Sequence, residues 1–272
     1  MSEIDFSITI DDYHKHQAVS RSVLGLAGNA KTAAHFHVAM NKPKDSEALR
    51  FGNAFHKFVL EPELYEKFAV EWSETATCGV KFKKAEAELD EGYFLVPVAW
   101  LDKIKLMAQS IKNHPKAHKL LSMNGDIEPS FFWHDERFDI DCKCRPDFLT
   151  KSFVVDLKKT ENKLKSASAD DFYRHIIDFN YDIQAYMNIS GVNKVADRSV
   201  EGFVFIVVED DEPYGVNVFL AGESVLESGR IKYEAYMNKY LDYKNSIDCY
   251  PSEITTIELP DWHMNRILIG EV

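Results

Sequence analysis

The stretch Cys144–Thr160, CRPDFLTKSFVVDLKKT, carries two aspartates and a lysine through an apolar, strand-like run. Successive side chains of a strand point to opposite faces. Asp141, Lys143, Arg145 and Asp147 are therefore expected on one face, with Cys142 and Cys144 toward the core. In the following strand Asp156 and Lys158 share a face, and Val155 and Leu157 lie opposite. With the hairpin turn at LTKS, residues 149–152, the two strands bring Asp147, Asp156 and Lys158 to one edge of a sheet.

That arrangement has a cost that suggests its use. Two carboxylates about 4 Å apart repel by roughly 4 kcal/mol at an effective dielectric near 20, and a divalent cation reverses the sign. Hard oxygen ligands select magnesium or manganese. A lysine beside such an ion can orient a water and stabilise charge on a pentavalent phosphate, which points to phosphodiester hydrolysis. An ordinary surface hairpin with solvated ion pairs fits the same spacing.

The composition narrows the alternatives. The chain has 272 residues, 45% apolar and 12% aromatic, ample for a core. The longest apolar run, FVFIVV at 203–208, is too short to cross a bilayer, and the acidic N-terminus has no signal-peptide pattern, so a soluble, cytoplasmic protein without membrane partners is expected. Cys78, Cys142, Cys144 and Cys249 contain no C-x-x-C pair and read as reduced thiols. Only Cys249 falls in the last third, which leaves no thiolate set for an iron–sulfur nuclease. The formal charge of −12 gives no general attraction for nucleic acid, so an anionic substrate must be met locally. Two local basic groups stand out: Lys158, Lys159, Lys163, Lys165 and Arg174, and upstream Lys81, Lys83 and Lys84.

Along the chain, residues 19–39 read as helix, a glycine interruption at Gly25 to Gly28, then helix, and residues 47–68 as helix with Pro62 ending it or opening a new turn. Residues 72–95 read as a loop or solvated helix, and 96–121 as one or two amphipathic helices. Three short strands between residues 126 and 160 suggest an antiparallel meander. A helical segment follows, with Ser168 as N-cap and Gly191 as its stop, then two strands and a helix from about Val225 to Lys244. The expectation is a single α/β domain over 1–272: a mainly helical part at 1–120, a sheet core at 121–245 and a tail at 246–272.

Pro146-Asp147, followed after eight residues by Asp156-Leu157-Lys158, resembles the PD-(D/E)xK nuclease motif. The ordered set LRFGNAFHKFVLEPELY, IEPSFFW, CKCRPDFL, VVDLKKT, YDIQAYM and ITTIELPDW is similar to the phage and prophage exonuclease VIII (RecE-type) family, from about residue 13 to 262. The resemblance implies a restriction-endonuclease-like core, a mixed central sheet flanked by helices with a helical N-terminal elaboration. It implies metal binding by Asp147, Asp156, His56 and the Leu157 carbonyl, with Lys158 as the catalytic lysine. Glu128 matches an acidic residue beside the metals, though a solvated strand-end glutamate fits as well, and His56 could equally be a packed helix histidine. Gln184 matches the glutamine of a Q-x-x-x-Y pattern whose tyrosine is here Asn188, with Tyr181 or Tyr186 as spatial substitutes. Ser20, Arg21 and Ser22 match a segment near the DNA 5′ end, where they would bind a terminal phosphate; a plain N-cap also explains the serines.

The implied activity is a magnesium-dependent 5′-to-3′ exodeoxyribonuclease, manganese being possible in its place. It would act on linear double-stranded DNA and leave 3′ overhangs for a single-strand annealing recombinase. The implied assembly is a homotetrameric ring with basic clusters turned inward. The rivals are an endonuclease on the same fold and a DNA-end-binding module that has lost catalysis.

Overall fold

The computed structural model describes residues 2–42, 45–73, 79–160, 166–196 and 199–271. The chain opens with β1 (Glu3–Asp5) and α1 (Ile10–Lys15), whose N-cap Thr9 accepts from the Asp12 amide. Next come α2 (Arg21–Asn29) and α3 (Ala33–Asn41). The break between them falls at 30–32 and not at Gly25 to Gly28, because both glycines lie inside α2. Helix α4 (Glu47–Leu60) starts at the Ser46 cap, and α5 (Pro62–Phe68) begins on Pro62, where a missing N–H costs nothing. Strands β2 (Ala69–Trp72) and β3 (Phe94–Pro97), which the sequence reading lacked, pair in parallel around α6 (Val80–Ala87). Helices α7 (Val98–Asn113) and α8 (Pro115–Leu121) complete the helical part.

From there the chain forms β4 (Gly125–Ile127), β5 (Ser130–Asp135), β6 (Ile140–Cys144), β7 (Phe148–Thr150) and β8 (Phe153–Lys159). The expected helix at 168–191 is two: α9 (Ala169–Asp178), for which Ser168 is the N-cap residue, and α10 (Tyr181–Val195). They separate at Phe179–Asn180, Asn180 being left-handed with φ 53°. Gly191 does not stop α10. It lies within the helix, where a Cβ would come 2.6 Å from the Trp133 ring, so the glycine is a packing choice. Strands β9 (Gly202–Val208) and β10 (Val216–Leu220), the long α11 (Glu223–Lys244) and α12 (Asp261–Leu268) follow.

The three strands expected as one meander divide between two sheets. β5 and β6 join β1 in a three-stranded sheet, whereas β7 and β8 belong to a five-stranded sheet of order β10-β9-β8-β7-β4. Pro146 lies at the division: without an N–H it cannot extend the β6 ladder, and residues 145–147 cross from one sheet to the other. The shared face expected for Asp141, Lys143, Arg145 and Asp147 therefore does not reach Asp147, although Lys143 and Arg145 both lie over the Tyr13 ring. Lys143 is 3% exposed and donates to the carbonyls of Tyr13 and His16, pinning the N-terminal segment to β6. Cys142 and Cys144 are buried thiols as expected, Cys249 is exposed, and Cys78 lies outside the described residues.

The five-stranded sheet is mixed: β8 and β9 run parallel and the other pairs antiparallel. All seven residues of β9 are buried, as a central strand covered on both faces requires. One face packs Val155, Leu157, Val204 and Ile206 against α4 and α7; the other packs Val154, Phe203 and Phe205 against α2, α9, α10 and α11. Alternation along β8 thus sends Asp156 and Lys158 to the α10 side. The result is the expected α/β fold with a mixed sheet between helical layers.

Helices α10 and α11 approach closely at Gly229, where a Cβ would fall inside the van der Waals shell of the Asp182 carbonyl. The Asp182 carboxylate, 1% exposed, accepts from Ser228 at 2.7 Å and pairs with Lys232 at 2.8 Å. Gly229→Ala should therefore cost about 1–3 kcal/mol by forcing the helices apart, measurable as a lower urea midpoint. An unchanged midpoint would refute the close-approach reading. No helix among the described residues is long and apolar enough to cross a membrane.

Candidate active site

The β7–β8 hairpin turns at Lys151–Ser152, closed by Thr150, whose hydroxyl accepts from the Phe153 amide at 2.8 Å. Phe148 faces Val155, and one step further places Asp147 opposite Asp156. Asp147 Oδ2 accepts from the Leu157 amide at 2.8 Å, so the first carboxylate is clipped to the backbone of the strand carrying the second. Asp156 is fully buried. Its Oδ1 accepts from Gln184 Nε2 at 2.6 Å, and Oδ2 meets the Lys158 ammonium with no other donor nearby.

Side chains from three helices complete the cluster. His56 of α4 places Nδ1 3.6 Å from Asp147 Oδ2. On α10, Gln184 stands one turn after Tyr181, whose ring lies 4.6 Å beneath Lys158 Nζ. Arg21, the first residue of α2, donates to Gln184 Oε1 at 3.4 Å and to the Phe179 carbonyl at 3.2 Å. Because a guanidinium only donates, Gln184 must turn its oxygen to Arg21 and its NH2 to Asp156. The order Arg21, Gln184, Asp156, Lys158 is one hydrogen-bonded and ion-paired chain.

The electrostatics follow from burial. Withdrawal from water, and then the Asp156 charge, push the Asp147 carboxyl up to about 6 against the pull of His56 and Lys158. Burial draws the Lys158 ammonium down, but Asp156 and Asp147 together more than offset it, and the net shift is upward. The site holds two carboxylates against one ammonium.

Glu128 enters through strained backbone. Its φ of 49° is left-handed, and its N–H donates to the Asp147 carbonyl at 3.0 Å. Its carboxylate pairs with Arg145 at 3.1 Å, and Arg145 also holds Ser130 and the Ile8 carbonyl. Glu61, which sequence reasoning missed, joins this flank: burial, and then the Glu128 charge, raise its carboxyl. Its position five residues after His56, at the end of the same helix, was the available signal.

Other anticipated residues stand apart. Ser20 occupies the N-cap position of α2 without a side-chain capping bond, and Ser22 is exposed. Asn188 is 3% exposed with Nδ2 unpartnered, so the tyrosine position of the Q-x-x-x-Y pattern is buried in this chain. Tyr186 packs on Tyr233, while Tyr181 lies in the site. Of the basic groups, Lys83 pairs with Asp45, Lys84 approaches Glu88 and Arg174 approaches Asp171; Lys163 and Lys165 lie outside the described residues.

On donor chemistry the site suits a hard divalent cation. It offers a buried carboxylate oxygen lacking a hydrogen-bond donor beyond one ammonium, a second carboxylate opposite, and an imidazole nearby. As placed, no three His, Cys, Asp or Glu side chains among the described residues converge to metal-holding distance, and Lys158 supplies the counter-charge.

Comparison with known proteins bears on the fold and the family. Among solved structures, a protein from Eubacterium rectale described as a "Putative exonuclease" superposes with a TM-score of 0.63 at 15% identity, covering 96% of this chain and 98% of that one. At that identity the likeness is one of fold. No curated protein matches the sequence. The model of the family described as "PDDEXK-like domain of unknown function (DUF3799)" matches residues 20–252, from the N-cap of α2 past the end of α11. The opposed carboxylates and strand lysine at the core of that span agree with it: this chain belongs to the DUF3799 family of PDDEXK-like domains.

Proposed function

We propose that this chain is a divalent-metal-dependent 5′-to-3′ exodeoxyribonuclease of the exonuclease VIII (RecE-type) kind, acting on linear duplex DNA. The observation that carries the reading is the facing pair Asp147 and Asp156 with Lys158 on the strand of the second, inside a PDDEXK-like fold. Asp147, Asp156 and His56, with the Leu157 carbonyl, would hold magnesium or manganese. Bound there, the ion supplies an activated water and neutralises charge on the leaving oxygen. Lys158, which pairs with Asp156 in the metal-free arrangement, would orient a water toward the phosphate. Gln184, fixed by Arg21, keeps Asp156 in one rotamer, and Tyr181 walls the site beneath the ammonium. Glu128 stands on the Asp147 flank as a further acidic group.

The remaining bonding capacity of Arg21, together with the first amides of α2 and the hydroxyls of Ser20 and Ser22, suits a terminal 5′-phosphate. On this reading the product is a 3′ overhang for a single-strand annealing recombinase, and the working form is a homotetrameric ring. Light scattering tests the assembly, and a monomeric mass rejects it.

The deciding assay offers 5′-phosphorylated linear duplex and covalently closed circles of the same sequence with magnesium. Mononucleotide release from linear DNA alone is expected. Cleavage of closed circles would replace this reading with an endonuclease, and inertness toward both would remove catalysis. His56→Ala should raise the magnesium concentration for half-maximal activity about tenfold because a ligand is lost, with some loss of stability as well, since the side chain is only 25% exposed. A magnesium titration beside a thermal melt checks this, and unchanged magnesium dependence in a folded variant would reject His56 as a ligand.

A further inference from the structure

A cleft of about 540 Å³ opens between α4, α6 and β3 on the flank of α4 next to His56. Its size falls within the roughly 300–1,000 Å³ typical of small-molecule sites. Leu49, Leu95 and Phe94 supply apolar wall, and Asn53, Lys57 and Arg50 supply polar groups. The charges are unequally committed. Arg50 is held by Asp45 at 2.7 Å and Glu86 at 2.6 Å, and Lys83 by Asp45 at 2.9 Å, so these four form a closed network bracing α6 against α4. Lys57 makes no direct ion pair among the described residues; its ammonium rests 4.8 Å over the Phe94 ring, and its charge also reaches Glu61 one turn later. The carboxamide of Asn53 is exposed and has no partner among the described residues.

A cation with no direct ion pair, an exposed carboxamide and an apolar wall match the three parts of a nucleotide. The ammonium meets a phosphate by swinging off the Phe94 ring, the amide meets a base edge with a donor and an acceptor at once, and the leucines with the ring so uncovered take the apolar base face. Position strengthens the match. Asn53 lies three residues before His56, about 4.5 Å along the helix axis, and Lys57 is its next neighbour. His56 itself stands 3.6 Å from Asp147. The helix that brings an imidazole to the carboxylates thus carries Asn53 and Lys57 on the adjoining flank.

We infer that this cleft binds a deoxynucleoside monophosphate unit, with Lys57 on the phosphate and Asn53 on the base. The inference rests on the nuclease reading for the source of the nucleotide, either a released product or the unit next to the scissile bond in a bound strand.

Calorimetry on the whole, metal-free protein tests it with dAMP, inorganic phosphate and the tetranucleotide of dA as probes. Asn53→Ala and Lys57→Gln change side chains outside the core and serve as the variants. Wild-type protein should bind dAMP at least tenfold more tightly than phosphate, and each variant should lose at least fivefold. Equal affinity for dAMP and the tetranucleotide marks a product site, and at least tenfold tighter tetranucleotide binding marks a strand site. Phosphate binding as tight as dAMP would overturn the inference. So would nucleotide binding that survives both variants and disappears in Asp147→Asn, which would locate it at the carboxylates. Failure of wild-type protein with magnesium to hydrolyse any DNA would strike the nuclease reading alone, because the binding is measured without metal or turnover.

Discussion

Asp156→Asn should reduce metal-dependent DNA hydrolysis by about a thousandfold or more while leaving the protein folded. The substitution keeps the size of the side chain and one oxygen, but removes the charge that a divalent ion needs at the buried end of the site. In the metal-free protein it relieves the repulsion that raises Asp147 but also takes the main counter-charge from the buried Lys158 ammonium, so stability should fall, by less than the roughly 3–5 kcal/mol of a fully stranded charge because Asp147 remains as a partner. Release of acid-soluble nucleotides measures the first effect, and urea unfolding without metal measures the second. Wild-type turnover would sink the site assignment. A fall in activity matched by loss of structure would show that Asp156 serves the fold rather than the chemistry.

The second large effect belongs to Lys158. Its ammonium compensates a carboxylate with no solvent exposure, so Lys158→Met in metal-free protein strands that charge and should cost about 3–5 kcal/mol, the usual penalty for removing one partner of a buried pair. A divalent ion at the same carboxylates replaces the missing charge. Saturating magnesium should therefore restore much of the stability but none of the turnover, which should stay down by a hundredfold or more, because no ammonium remains to orient the water. Urea titrations with and without magnesium, beside a hydrolysis assay, separate the two roles. A stability loss that magnesium does not reduce would refute the counter-ion role.

These expectations rest on local and long-range structure to different degrees. The hairpin was legible because its determinants lie within seventeen residues: a two-residue turn sets the register, and the period of two then places Asp147 across from Asp156. His56 and Gln184 were reached through family resemblance, since nothing in their spacing ties residue 56 or 184 to residue 156. Glu61 escaped notice because its significance comes from Glu128, a residue 67 positions later. The glycines of α2 and α10 were misread as breaks because each is explained by a neighbour from elsewhere: the Tyr236 ring at Gly28 and the Trp133 ring at Gly191.

By itself the sequence determined the α/β character, a hairpin turn within residues 149–152, the opposed aspartates with their lysine, and the burial of Cys142 and Cys144, all consequences of side-chain period and turn chemistry within single elements. Tertiary structure alone decided that β6 and β7 part at Pro146 into different sheets and that β8 pairs in parallel with β9. It also decided that Arg21, Tyr181 and Gln184 meet at Asp156, and that position 188 is buried. The reason is physical. A strand's period of two is the same in every sheet it could join, and a helix's period shows only that one face is buried, not what lies against it. Those choices are made by long-range burial, and in this chain they convert a charged hairpin into a closed cluster of two carboxylates, an ammonium, an imidazole and a carboxamide.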